Sequence, residues 1–328
     1  MTTPPPLVTM ISLCYNHERY LDDHIAGLLS QTHKNIQLVL LDNGSTDGSW
    51  EKIRSFEPKL RAAFPKVVLK RNENIGVFKA LAFALGMAEG EFVSMSSTDD
   101  YFLPEKIEEN VKYLMARPDT GLVHSDFNQV HADRTVGQVW KSQNKKIPEG
   151  RVFDSLIAKD FYIVPCLICV RTELMRRYVD FLQYEKEGYL LEDEPMLLDL
   201  AAHTNFGYID KPLACYRIVP GSMSRSKNAV TFMAFRKSVC RIRKDYAVKY
   251  HASGPAQKAM EKRNYWVLFA TGYECCLRKE CQESFAWLAK NYPGEFNTFR
   301  YRLRAWSTWH PWIWRLLNGR RPRGEVTA

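Results

Sequence analysis

Two adjacent carboxylates, Asp99 and Asp100, stand between a strand-like run and a helix start. Phe92, Val93 and Met95 are apolar or β-branched and follow a Gly-Glu turn signal, as a strand would. Pro104 suits a first helical turn, where its missing N–H is not needed. Neighbouring carboxylates repel unless a cation lies near them. A Mg²⁺ or Mn²⁺ ion needs only one or two carboxylates when substrate phosphates complete its shell. One reading is therefore a site for a divalent metal carrying a diphosphate. The other is that the pair only caps the helix that follows.

A second acidic group, Glu192-Asp193-Glu194, opens a helical stretch, where the dipole favours negative charge. Asp42-Asn43-Gly44 ends another apolar run and reads as a turn. The eight cysteines include one C-x-x-C, Cys166 and Cys169, inside an apolar run that reads as a buried strand over Phe161 to Val170. No second metal pair accompanies it, so zinc is not expected, and reduced thiols of a cytosolic protein fit best.

These residues need elements to hold them. Strand-like runs at Leu7–Cys14, Ile36–Leu41, Val67–Leu69 and the segment before Asp99 alternate with helical patterns at about 18–30, after Asp47, at about 76–88 and from Pro104 to Ala116. Leu21, Ile25, Leu28 and Leu29 carry the helical spacing in the first of these helices. Alternation of this kind predicts an α/β fold with a doubly wound, mainly parallel sheet. In such sheets ligands bind at the carboxyl ends of the strands. Beyond Asp119 the pattern loosens. Strands are expected at Gly121–His124, Val136–Trp140, Phe206–Ile209 and Leu213–Ile218, with a polar loop at 142–150 and a helix at Leu190–Ala202. From Asn228 the chain reads as helices at about 228–250, 256–279, 282–291 and 299–317.

Four ordered segments resemble the inverting glycosyltransferases of family 2, which have the GT-A fold. They are Val8–Asn16 with Glu18, Tyr20-Leu21 and Ser30-Gln31-Thr32; Leu41–Gly48; Ala88–Lys106; and Leu191-Glu192-Asp193 with Cys215-Tyr216-Arg217 downstream. The resemblance covers roughly residues 7 to 225, and four motifs in order are far more specific than one. It implies a nucleotide-diphosphate sugar donor and a glycan or lipid-linked acceptor. Tyr15 would lie beside the base, Asp42 would accept hydrogen bonds from base or ribose, and Asp99 with Asp100 would face the metal and diphosphate. Arg217 and Lys79 are further donor-binding candidates, and Asp193 would be the catalytic base. Each also has a plain alternative: a core tyrosine, a turn aspartate, a surface salt bridge, a solvated helix face. Two departures matter. Ser97 stands where the family usually has a further Asp, and Val219 where many relatives have a histidine. They leave metal binding to one or two carboxylates and the substrate.

The charge is unevenly spread. From Ser226 onward there are 20 Lys/Arg against 7 Asp/Glu, while the first 225 residues carry 26 against 30. Two regions are expected: a catalytic domain over 1–225 and a basic, Trp-rich helical region over 226–328. Residues 300–317 hold four of the eight tryptophans, with Arg320, Arg321 and Arg323 following. Tryptophan beside Lys/Arg suits an anionic membrane surface; a helix packed on the rest of the protein is the alternative. No nucleic-acid motif accompanies the basic residues. The opening Met-Thr-Thr-Pro-Pro-Pro lacks the features of a secretory signal. No run reaches the roughly eighteen apolar residues a spanning helix needs. The expected protein is cytoplasmic or peripheral on the inner membrane face, and builds a bacterial surface polysaccharide. A binding protein that has lost catalysis, or a membrane-attached scaffold, is the alternative.

Overall fold

The computed structural model describes residues 4–131, 135–137, 139 and 146–318. The first strands and helices are β1 (Val8–Cys14), α1 (Leu21–Leu29), β2 (Ile36–Asn43), α2 (Ser49–Ala63), β3 (Lys66–Asn72), α3 (Val77–Gly86) and β4 (Phe92–Ser97). β5 (Tyr101–Phe102), α4 (Lys106–Met115), β6 (Thr120–Val130), β7 (Thr135–Val136) and α5 (Phe153–Ala158) follow. Then come β8 (Cys169–Arg171), α6 (Thr172–Tyr178), α7 (Phe181–Lys186), α8 (Asp193–His203) and β9 (Asn205–Arg217). The remaining helices are α9 (Ala229–Lys249), α10 (Gly254–Glu274), α11 (Arg278–Asn291), α12 (Pro293–Phe296), α13 (Phe299–Ser307) and α14 (Pro311–Asn318).

Among the described residues the strands form one sheet in the order β3-β2-β1-β4-β8-β6-β9-β5, with β7 on β6. β3, β2, β1 and β4 run parallel, and β8 is antiparallel to both its neighbours. Every residue of β2 is buried, as expected of a strand covered by helices on both faces. The chain leaves β1 toward β2 and β3, then returns to place β4 on the other side of β1. That reversal is a topological switch point, where the strand ends part to leave a crevice.

The α/β class and the doubly wound, mainly parallel sheet are as the alternation predicts, and a helical C-terminal region follows. Some elements differ. Phe161–Val170 is not one strand: Pro165, which has no N–H for a ladder, opens a 3-10 turn over Pro165–Leu167, and only Cys169–Arg171 pairs. The two expected strands at 206–209 and 213–218 are one, β9, which absorbs Asp210, Lys211 and Pro212 through register shifts against Ser125–Phe127 of β6. The expected helix over 299–317 breaks into α13 and α14. Pro311 cannot continue a helix, and Trp309 and His310 close the turn by donating to the Trp306 and Ser307 carbonyls. Of the expected strand at 136–140, Gln138 and Trp140 lie outside the described residues, as do 142–145 of the expected loop and Arg320, Arg321 and Arg323.

The chain divides into two compact units, one of residues 1–153 and 161–218, the other of 154–160 and 219–328. The second unit is helical. Asn228 and Ser253 cap α9 and α10 by accepting from the Thr231 and Ala256 N–H groups. Its aromatic core centres on Phe269, Leu288 and Phe296, with Tyr265, Trp287 and Tyr301 packed around them. No helix among the described residues is long and apolar enough to cross a membrane.

Candidate active site

The switch point gathers the motif residues. β1 ends beside Tyr15, which is 44% exposed. Asn16 then takes φ +56°, and its N–H donates to Ser45 Oγ at 2.9 Å while its Oδ1 accepts from Thr46 N at 2.8 Å. The turns after β1 and β2 are thereby tied together. Gly44 sits at φ +80°, where any Cβ would collide with the Asn74 backbone. Asp42 is fully buried. Its Oδ1 accepts from the Ser45 N–H at 3.2 Å and from the Ser45 hydroxyl, and Arg71 Nε lies 3.3 Å from its Oδ2. The Asp42 carboxylate therefore holds the turn from within, the plainer of its two expected roles.

The loop after β4 carries the acidic pair, and four side chains fix it. Thr98 Oγ1 is 3.0 Å from His17 Nδ1. His24 Nδ1 is 2.6 Å from the Asp100 carbonyl, so this nitrogen carries the proton, and Nε2 accepts from Ser12 Oγ at 2.8 Å. Arg217, the last residue of β9, donates its backbone N–H to Asp100 Oδ1 at 2.8 Å and its Nε to the Asp99 carbonyl at 2.9 Å. Its Nη2 reaches Asp23 Oδ2 at 2.6 Å, and its guanidinium lies 4.9 Å from the centre of the Tyr20 ring. The fourth side chain is the buried thiol of Cys166, which meets the Asp100 carboxyl.

The two carboxylates differ in setting. Asp100 is buried, and desolvation, then the nearby Asp99 charge, push its carboxyl well above the usual range. Asp99 is half-buried. Desolvation also lowers the pKa of His17, against the pull of Asp99, and brings His24 down to about 4. Behind the loop, buried Lys106 donates to Ser94 Oγ at 3.1 Å and to the Ile168 carbonyl at 3.2 Å. Burial lowers its pKa to about 8.

Across the crevice, α8 begins at Asp193, whose Oδ1 accepts from the Glu194 N–H at 2.8 Å. Glu192 and Asp193 line a cavity of about 130 Å³ together with Ser96 and Ser97 at the end of β4. Burial, then the Asp193 charge, raise the Glu192 pKa. The end of β4, which leads into the acidic loop, and the start of α8 thus share one cavity. Lys79 does not join them: it lies on the exposed face of α3, with Nζ 3.5 Å from Glu185 Oε2.

Sequence reasoning passed over His17, Asp23 and His24, and read Cys166 only as part of a buried strand. A signal existed for His24, a polar residue adjoining Ile25 and one turn from Leu21 and Leu28 on the buried face of α1. Gln31, quoted only as a motif residue, bonds the Leu103 carbonyl and the Ile107 N–H, so it joins α1 to the start of α4.

A doubly wound sheet with a switch-point crevice, an acidic loop following β4 and carboxylates at a helix start on the cavity wall is the arrangement of a GT-A type glycosyltransferase. The chain belongs to glycosyl transferase family 2, whose family model matches residues 9–178. Over 117 residues it is 32% identical to the putative teichuronic acid biosynthesis glycosyltransferase TuaG of Bacillus subtilis, covering 36% of this chain and 45% of that protein. An uncharacterized glycosyltransferase of Haemophilus influenzae is 25% identical over 148 residues, 42% of this chain and 44% of the relative. The chain thus matches less than half the length of these two relatives. Residues 1–349 of S. aureus TarS superpose with TM-score 0.59 at 14% identity, covering 95% of this chain and 92% of that one. The mannosyltransferase PcManGT of Pyrobaculum calidifontis, solved with GDP-Man and Mn²⁺, gives TM-score 0.55 at 18% identity, covering 95% and 87%. At these identities the two structures speak for the fold.

Proposed function

We propose that the protein transfers a sugar, with inversion, from a nucleotide-diphosphate donor to a hydroxyl of a glycan or lipid-linked acceptor in bacterial surface-polysaccharide synthesis. The observation that carries this is the cavity in which Glu192 and Asp193, at the start of α8, meet Ser96 and Ser97, the strand end that leads into the Asp99–Asp100 loop. TarS has been solved with UDP-GlcNAc and PcManGT with GDP-Man, and TuaG is named for teichuronic acid biosynthesis. These relatives support the reaction class and point to cell-envelope glycans.

In this reading Tyr15 lies against the nucleobase, as an exposed ring at a strand end can. Asp42 serves the nucleotide indirectly, by holding the turn beside it. Among the described residues no three His, Cys, Asp or Glu side chains cluster to cage a metal. A lone half-exposed carboxylate such as Asp99 still suits Mg²⁺ or Mn²⁺ that arrives with a diphosphate. Such an ion would supply Lewis-acid stabilisation of the departing diphosphate. Asp100 keeps the loop in place through Arg217 and Cys166. Asp193, at a helix start that favours its ionised form, takes the acceptor's proton as the new C–O bond forms. Attack opposite the diphosphate inverts the anomeric carbon. Release of nucleoside diphosphate from nucleotide sugars, with and without EDTA, tests the proposal. Saturable donor binding without turnover would identify a binding protein instead.

The second unit adds a partner to the proposal. Trp314 is buried and its Nε1–H donates to the Tyr273 carbonyl at 2.6 Å. Trp312 and Leu316 fall on the opposite side of α14 by helical spacing and are 63% and 76% exposed. Phe299 and Trp306, two turns apart on α13, are exposed as well. Exposed aromatics on a basic unit favour an anionic membrane surface, while Trp314 does the work of a packed helix.

A further inference from the structure

The cavity beside Asp193 has an unusual lining for a sugar site. Its walls are Leu13, Val77, Leu81, Met95 and Met196, with Pro165 at one side. Polar groups occur only at Ser96, Ser97, Glu192 and Asp193. Val77 and Leu81 are one turn apart on α3, so a single helix face supplies one wall. Ser96 already donates to the Ser97 carbonyl. A sugar hydroxyl pressed against the apolar walls would lose its water and find no partner, which costs about 1–3 kcal/mol. A methyl group there would instead gain by leaving water.

Resting on the transferase reading above, we propose that this cavity receives the acetamido group of an N-acetylated amino-sugar donor. The methyl lies among Leu13, Val77, Leu81, Met95 and Met196, and the amide stays at the Ser97 and Glu192 edge. Both polar functions of the amide can be met there. The Ser97 hydroxyl can donate to the amide oxygen, and a carboxyl oxygen of Glu192 can accept from the amide N–H. The size agrees. A cavity of about 130 Å³ has room for the four heavy atoms of an acetamido group. Burial raises the Glu192 pKa, so its carboxyl can also be protonated and donate, which adds to the match with an amide. The cavity adjoins Asp193 and the end of β4, so an occupant attached to the donor sugar remains beside the reacting centre.

The test compares donors that differ only at this group. Dissociation constants are measured by calorimetry with Mn²⁺ for UDP-GlcNAc against UDP-glucose and UDP-GalNAc against UDP-galactose, with UDP, GDP and GDP-mannose alongside. The inference expects the acetamido member of a pair to bind about tenfold tighter or more, the scale on which an apolar pocket discriminates. Val77→Phe, which fills the cavity from α3, should bring the pair to within about threefold while UDP affinity stays unchanged. Met196→Phe fills it from α8 and serves if the first variant does not fold. Equal or tighter binding of the plain hexose donors, or a response confined to GDP and GDP-mannose, overturns the inference and leaves the transferase reading standing. Binding of no nucleotide and no donor overturns both.

Discussion

Asp99 and Asp100 are adjacent in the chain and opposite in setting. Asp100 faces inward to the Arg217 N–H and the Cys166 thiol, and its pKa is raised; Asp99 stays half-exposed. Asp99→Ala should therefore abolish Mn²⁺-dependent nucleotide affinity with little change in melting temperature. Asp100→Ala should lower the melting temperature, because a buried N–H and a thiol lose their partner, at about 1–3 kcal/mol. Calorimetry and thermal melts of the two variants check this, and an exchange of the two outcomes would reverse the roles. Glu192 and Asp193 separate in the same way. Glu192→Gln resembles a protonated carboxyl, so transfer should stay within about tenfold of the wild type, a smaller loss than the 10²–10⁴-fold typical of a missing general base. Steady-state rates decide, and a loss as deep as that of Asp193→Asn would make Glu192 the base.

The elements around the switch point depend on a histidine kept neutral. His24 is fully buried between Ser12 and the Asp100 carbonyl, with its pKa near 4. An unfolded chain protonates this residue near pH 6.5. The folded-state value is depressed, so the stability it brings is present above about pH 6.5 and is lost as pH falls toward 4. Its contribution is on the order of 3 kcal/mol. His24→Gln should thus be less stable at pH 7.5 yet show a flatter fall in melting temperature between pH 6.5 and 4. Parallel curves for the two proteins would contradict this. The strands and helices of this half were legible because apolar runs and turn residues alternate regularly from Leu7 to Ala116. The motif residues Tyr15, Asp42, Asp99, Asp193 and Arg217 were readable in the sequence, and the structure places them at the ends of β1, β2, β4 and β9 and at the start of α8. What escaped was tertiary: His24 meets Asp100 across 76 positions of chain, and no local pattern encodes such a pairing. Lys79 and Arg217 show the same limit, since their partners Glu185 and Asp23 are set by packing. The breaks at Pro165 and Pro311 were local, by contrast, and each proline was a readable signal that the apolar pattern around it masked.

At the scale of the whole molecule, an acidic first unit carries the crevice and a basic second unit carries exposed tryptophans. Trp312→Glu with Leu316→Glu should cut co-sedimentation with phosphatidylglycerol vesicles about tenfold or more and leave donor affinity unchanged. Undiminished co-sedimentation at low salt would remove the membrane surface from the proposal. Loss of solubility would instead show the α14 face to be structurally required. The central claim is that the first unit is a transferase using Asp193 as its base. The most direct measurement is nucleoside diphosphate release from a panel of nucleotide sugars with Mn²⁺, for the wild type beside Asp193→Asn, with donor affinity measured in parallel. The account predicts release by the wild type, a fall of about 10²–10⁴-fold in the variant, and unchanged donor affinity. Near-normal release by Asp193→Asn, or loss of donor binding with it, would contradict the account.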